Sequence, residues 1–161
     1  WGIGWQLKRL GCRRRLPVVI REFRTIRAAG VFDPRWYERR YPAVAGRFAD
    51  PLWHYVLWGA DEGRDPHPLF LTDWYLQRNP DVRAAGVNPL AHYLRRGAAE
   101  GRDPHPLFAG NWYLQRNPDV AARGWNPLVH YVKWGGAEGR DPHPLFDTGY
   151  FLRQAEENLR P

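Results

Sequence analysis

The sequence has no methionine and only one cysteine, Cys12, in 161 residues. A single cysteine excludes an internal disulfide and any zinc site built from several thiolates. No run of 18 or more apolar residues occurs, so no segment reads as a membrane-spanning helix. No secretory-signal pattern is visible either. Because it starts at Trp1 and contains no Met, the chain is expected to be a processed or partial translation product. Also missing are a phosphate-binding Gly-rich loop, a Gly-x-Ser-x-Gly turn and a catalytic triad pattern. Net charge is missing from most of the chain. The whole formal charge of +7 falls in residues 1–30, where eight basic residues face Glu22 alone. What remains is a neutral body with a basic arm, and the two require separate explanations.

Aromatic residues, at 15%, and prolines, 15 in number, are abundant, and both are placed periodically. The hexamer Asp-Pro-His-Pro-Leu-Phe occurs at 65–70, 103–108 and 141–146, with a constant step of 38 residues. In the same register stand Trp36, Trp74, Trp112 and Tyr150, followed by Tyr37, Tyr75, Tyr113 and Phe151. His54-Tyr55, His92-Tyr93 and His130-Tyr131 follow, then Gly59, Gly97 and Gly135. No insertion breaks the period. A fixed step of this size specifies a stacked array of units that cannot bury their apolar faces alone.

Within a unit the punctuation is helical. A first helix is expected over Thr72–Arg78. Asp33-Pro34, Asn79-Pro80, Asp50-Pro51, Asn88-Pro89 and Asn126-Pro127 each read as an N-cap followed by proline at the first helical position. Gly86 and Gly97 read as helix stops. Glu-Gly-Arg-Asp-Pro-His-Pro is an extended connector, since its prolines suit neither a helix interior nor a central strand. The fold class is therefore all-α: a solenoid-like array of short helices with three 38-residue units and a C-terminal capping helix. The domains are a basic arm at 1–30, the repeat domain at 31–146 and a polar cap at 147–161. Trp36, Trp74 and Trp112 are expected to form the core column, each worth ~1.5–3 kcal/mol or more in burial. The Leu-Phe of each hexamer is expected to staple one unit to the next.

The pattern WYLQRNPDV, then NPL and HY, then EGRDPHPLF, resembles repeat units that accompany bacterial glycosyltransferases and related polysaccharide or cell-surface proteins. The resemblance spans about residues 30–151 and implies an accessory role beside such enzymes. It carries over no catalytic residue, and the chain holds neither an Asp-x-Asp pair nor a nucleotide-binding loop.

Six histidines, His54, His92, His130, His67, His105 and His143, repeat in two sets. They lack the clustered spacing that zinc requires and are read as hydrogen-bonded to connector backbone, with no metal and no cofactor. The Glu-Gly-Arg-Asp runs are read as Arg–carboxylate pairing or loop capping across units, and each hexamer Asp as an Asx-turn former. Cys12, beside Arg13, Arg14 and Arg15, is read as an incidental thiol. Trp1, Trp5, Trp53, Trp58, Trp125 and Trp134 stand outside the repeat. The position of Trp58 holds Arg96 and Trp134 in the other units, and that of Trp53 holds Ala91 and Val129. Positions so varied are read as surface, for contact with protein, glycan or lipid.

From Pro17 onward, Val19, Phe23 and Ile26 share one helical face while Arg21, Arg24 and Arg27 lie elsewhere around the helix. Such a helix can lie on an anionic membrane surface, dock on the first repeat or a partner, or bind an acidic polymer. Nucleic acid is disfavoured because the body is neutral. The functional expectation is a non-enzymatic scaffold or accessory subunit that binds a membrane-associated protein assembly, peripherally on the cytoplasmic face of a bacterial membrane or in the cytoplasm. The alternative is a polysaccharide-synthesis module that binds glycan or a glycosyltransferase. An enzyme using the repeated His, Arg and Asp positions is the least favoured reading. The binding candidates are Trp1, Trp5, Arg13, Arg14, Arg15, Arg21, Arg24, Arg27, Trp53, Trp58, Trp125 and Trp134.

Overall fold

The structure, a computed structural model, describes residues 15–158. Trp1, Trp5, Cys12, Arg13 and Arg14 lie outside the described residues. Among those described are ten α-helices and no strand. Helix α1 (Leu16–Ala29) precedes three units. The first holds α2 (Pro34–Arg40), a 3-10 turn at Pro42–Val44 and α3 (Pro51–His54). The second holds α4 (Thr72–Arg78), α5 (Pro80–Ala85) and α6 (Pro89–His92). The third holds α7 (Gly110–Arg116), α8 (Pro118–Ala122) and α9 (Pro127–His130). Helix α10 (Thr148–Asn158) follows.

Helix starts follow the proline punctuation. Asp33 accepts from Trp36 N–H at 2.9 Å, Asp50 from Leu52 N–H at 2.9 Å and Asn88 from Ala91 N–H at 3.1 Å. Asn79 departs from the expected N-cap role. Its side-chain amide donates to the Tyr75 carbonyl at 2.7 Å and so closes the end of α4 instead. Gly86 ends α5 in the left-handed region at φ 61°. Gly97 does not act in this way. Helices α3, α6 and α9 each widen into a five-residue π turn, Tyr55–Gly59, Tyr93–Gly97 and Tyr131–Gly135, and the glycine is its last residue. A Cβ on Gly97 would overlap the Tyr75 hydroxyl, and Gly59 and Gly135 stand likewise against Tyr37 and Tyr113. These glycines are required by close approach and not by a helix stop.

The core column is one residue away from its expected place. Tyr37, Tyr75 and Tyr113 are fully buried, whereas Trp36, Trp74 and Trp112 are half-buried. One helical step of about 100° decides this. The tyrosine points at the third helix of its unit, and the tryptophan lies along the flank under an arginine. Arg78 covers Trp74 at 4.9 Å and Arg116 covers Trp112 at 5.9 Å. Around the tyrosines pack Val82, Leu90, Tyr93 and Phe108 and their counterparts. Tyr75 and Tyr93 meet edge to face at 6.0 Å, as do Tyr113 and Tyr131 at 5.9 Å.

Most residues of the hexamer have a task at the joint. Asp65 accepts from Thr72 N–H at 2.8 Å and so caps the next first helix from seven residues upstream, in place of the expected Asx turn. His67 Nδ1 accepts from Leu69 N–H at 3.0 Å, and Phe70 N–H reaches His67 O at 3.0 Å, which closes the turn. Phe70 is fully buried against Tyr75 and Tyr93. Pro104 O accepts from Leu71 N–H, and Pro142 O from Ala109 N–H, linking successive connectors. Phe70 and Phe108 are the fully buried staples, and Leu69 packs partly buried against the core. Leu107 and Leu145 turn outward, Leu145 at 83% exposure.

Arginine–carboxylate pairing also differs from expectation, because it closes a unit upon itself. Arg102 grips Asp81 with two bonds of 2.8 Å, Asn79 at 2.9 Å and Glu100 at 2.7 Å. Arg140 repeats this with Asp119, Asn117 and Glu138. In the first unit Ala43 replaces the aspartate, and Arg64 lies over the Tyr41 ring at 5.0 Å. The first turns of the C-terminal helix leave aromatic rings open to solvent. Helix α10 leaves Tyr150 at 58% and Phe151 at 59% exposure.

Two substitutions test the corrected core. Tyr75→Ala is expected to cost ~3–5 kcal/mol, as for other large buried side chains, and more than Trp74→Ala. Gly97→Ala is expected to cost ~1–3 kcal/mol through overpacking, with part recovered in the Gly97→Ala, Tyr75→Phe double variant. Urea melts of the four proteins give both comparisons. Equal losses for Trp74→Ala and Tyr75→Ala would return the column to tryptophan.

Candidate functional site

Each unit holds a tyrosine–histidine pair below its surface. The hydroxyls of Tyr37, Tyr75 and Tyr113 lie 3.0, 2.9 and 2.7 Å from Nδ1 of His54, His92 and His130. A phenol is the stronger donor and an imidazole nitrogen the stronger acceptor, so Nδ1 accepts and the ring carries its proton on Nε2. Burial lowers the pKa of all three histidines, with the Arg64, Arg102 and Arg140 charges acting in the same direction. Burial also lowers His105, and it brings His67 to about 4. Burial raises all three tyrosines far above their ordinary value. The pairs are thus neutral and locked. The pairs tie the first helix of each unit to the third. Among the described residues no three His, Cys, Asp or Glu side chains are grouped to hold a metal ion.

Beside each pair stand residues that change from unit to unit. In the first unit Phe48 and Trp58 flank His54, with centroids at 5.2 and 5.9 Å, over a cleft of about 320 Å³. In the second, Val87, Arg95 and Arg96 line a cleft of about 200 Å³ with His92. In the third, Trp125 stacks on His130 at 5.4 Å and on Trp134 at 5.2 Å. Trp125 is 38% and Trp134 44% exposed, so this stack faces solvent. Arg123 lies over Trp125 at 4.9 Å and Lys133 over Trp134 at 5.8 Å.

Trp125 and Trp134 are thus brought together on one surface. Trp53 is half-buried and stacks on Phe23 of α1 at 3.9 Å. Trp58 is half-buried beside His54 and Phe48. The arm helix lies along the array. Val19 and Ile26 are fully buried, and Glu22 accepts from Asn88 N–H of the second unit at 2.9 Å. The Lys133 stem of the third unit lies against Gly30, just beyond α1. The apolar face of α1 is therefore covered by the chain's own repeats. Its cations point outward: Arg15, Arg21, Arg24 and Arg27 are exposed, and Arg27 pairs with Asp50.

Sequence reasoning overlooked Phe48, Arg95, Arg96, Arg123 and Lys133. The available signal was variation at a fixed position, since Arg96 replaces Trp58 and Trp134 in the repeat register. A second groove of about 360 Å³ runs between the second and third units, lined by Trp74, Arg78, Arg102, Asp103, His105 and His143. No family model, curated protein or solved structure matches this chain.

Acid should loosen this framework. A histidine whose folded pKa is depressed contributes stability that is full above the unfolded value of about 6.5 and is lost as pH falls toward the folded value. For His67 that window runs from about 6.5 down to about 4. Stability from urea melts is expected to fall between pH 7.5 and 5. His67→Asn keeps an acceptor near Nδ1 but cannot titrate, so its slope should be shallower. An unchanged slope would remove His67 from the explanation.

Proposed function

We propose that this protein is a non-enzymatic helical-repeat scaffold, an accessory subunit that takes a protein partner on the face carrying its variable residues. One observation carries the reading. Neutral tyrosine–histidine pairs frame each unit, and the residues beside them change from Trp58 to Arg96 to Trp134. Repeat arrays work in this way, with a constant frame and a variable binding face. The stacked Trp125 and Trp134 fit the large, partly exposed aromatics that dominate binding energy at interfaces. The exposed Arg21 and Arg24 favour an acidic partner, such as an assembly held at an anionic membrane. The arm contributes to this by charge, since its apolar face is occupied.

A second reading is a glycan-binding accessory module of polysaccharide synthesis. The groove lined by Trp74, Arg78, Arg102 and Asp103 favours it, because it sets an aromatic ring beside charged hydrogen-bonding groups. The resemblance of the repeats to those of polysaccharide proteins points the same way.

Affinity purification from detergent-solubilised native membranes distinguishes the two. The full chain is compared with the Trp125→Ala, Trp134→Ala double variant and with Trp74→Ala. The scaffold reading requires a protein that is retained at low salt, released at high salt and cross-linked to the third unit. The double variant should retain it at least about tenfold less well, the loss typical of central interface aromatics, with its melting temperature unchanged. Equal retention by both proteins overturns this reading. Polysaccharide binding that Trp74→Ala abolishes and the double variant keeps would establish the second.

A further inference from the structure

The second unit differs from its neighbours in a way that the scaffold reading counts only as variation. Where the first unit has Leu57-Trp58 and the third Lys133-Trp134, it has Arg95-Arg96, both exposed. Helix α1 crosses the array at this unit, anchored by Glu22 on Asn88 N–H. That crossing brings Arg21 to the same cleft, which is lined by Arg21, Glu22, His92, Arg95 and Arg96 with Val87 and Ala91. The cleft therefore forms only with the arm docked. Three guanidinium groups come from two separate segments.

None of Arg21, Arg95 and Arg96 makes an ion pair or side-chain hydrogen bond among the described residues. By contrast, Arg27 pairs with Asp50, Arg102 with Asp81 and Glu100, and Arg140 with Asp119 and Glu138. Glu22 is the carboxylate in the lining. It is 3% exposed and already holds the Asn88 N–H. Three guanidinium groups outnumber the one carboxylate of the lining. His92 Nδ1 is engaged by the Tyr75 hydroxyl, which leaves Nε2–H as its remaining donor. The cleft, about 200 Å³, has room for several waters and so for a small oxyanion. Guanidinium groups suit planar or tetrahedral oxyanions that accept paired hydrogen bonds.

We propose that the cleft between Arg21 of α1 and Arg95-Arg96 of the second unit is a binding site for a phosphate dianion, free or as a monoester headgroup. A charge near −2 with three terminal oxygens matches three guanidinium groups. A lone carboxylate would leave at least one guanidinium without a partner. Binding relieves the repulsion between the three arginines and ties the arm to the array, so the ligand stabilises the docked form.

Thermal melts and calorimetry of the full chain with inorganic phosphate, at ionic strength held constant with chloride, test the site. Phosphate in the millimolar range is expected to raise the melting temperature. Arg95→Gln, Arg96→Gln and Arg21→Gln proteins should bind about tenfold or more weakly, as when a charge-assisted contact is lost. Arg35→Gln, on the exposed side of α2, should respond like the parent. All of these positions are exposed, so circular dichroism should confirm folding, and the separate Arg21→Gln protein tests the site from the other segment. Sedimentation with vesicles containing phosphatidic acid identifies the source. Pelleting that requires Arg95 and Arg96 assigns a lipid phosphomonoester, and a phosphate response without pelleting assigns a soluble one. The proposal is overturned if phosphate gives no shift at matched ionic strength. It is equally overturned if the arginine variants respond like the parent, or if vesicle binding persists in them without any phosphate response.

Discussion

The contact on which the array depends is a tyrosine hydroxyl held between a histidine nitrogen and a glycine. In the second unit Tyr75 comes from the first helix, and His92 and Gly97 come from the third. The hydroxyl sits so close to the Gly97 Cα that no side chain can occupy that position. The π turn spans the stretch from Tyr93 to Gly97 and brings the glycine under the hydroxyl while His92 meets it from the side. A buried hydroxyl without a partner is costly, so the pair fixes the distance between two short helices that could not persist alone. Three copies of this contact give the three units a common frame, and that common frame allows them to stack.

Between units the constraint passes to the connector. An extended segment with two prolines has few backbone donors, and the hexamer supplies partners for those that remain. Asp65 caps a helix, His67 closes a turn, and Phe70 enters the next core. Frame and joint are both made from repeated residues, so the positions beside them can vary. That freedom explains how Trp58, Arg96 and Trp134 occupy equivalent places without disturbing the stack.

Helix α1 belongs to neither frame nor joint, yet it touches the units more broadly than any other helix. Its Val19 and Ile26 are buried and its Phe23 stacks on Trp53 of the first unit. Its Glu22 bonds to the second unit, and Gly30 just beyond it meets Lys133 of the third. A helix placed this way ties all three units together. It also moves basic side chains from an isolated arm onto the surface of the repeats, where their charge acts together with that of Arg95 and Arg96.

Much of the architecture was legible in the sequence. Period, proline spacing and caps set an all-α array, the first helix at Thr72–Arg78 and the connector, because these depend on local backbone chemistry. The apolar stripe of Val19, Phe23 and Ile26 announced that α1 would bury a face. What the stripe covers was not legible, since an amphipathic pattern does not name its partner surface. The choice between Trp74 and Tyr75 for the core, the π turn and the close approach at Gly97 were equally hidden. Each depends on where a second helix lies relative to the first, and one residue of rotation reverses the assignment. The cluster of Arg21, Arg95 and Arg96 shows the same limit most clearly. More than seventy positions separate its two parts along the chain. They meet only because α1 folds back across the second unit, and no local property of either segment encodes that crossing.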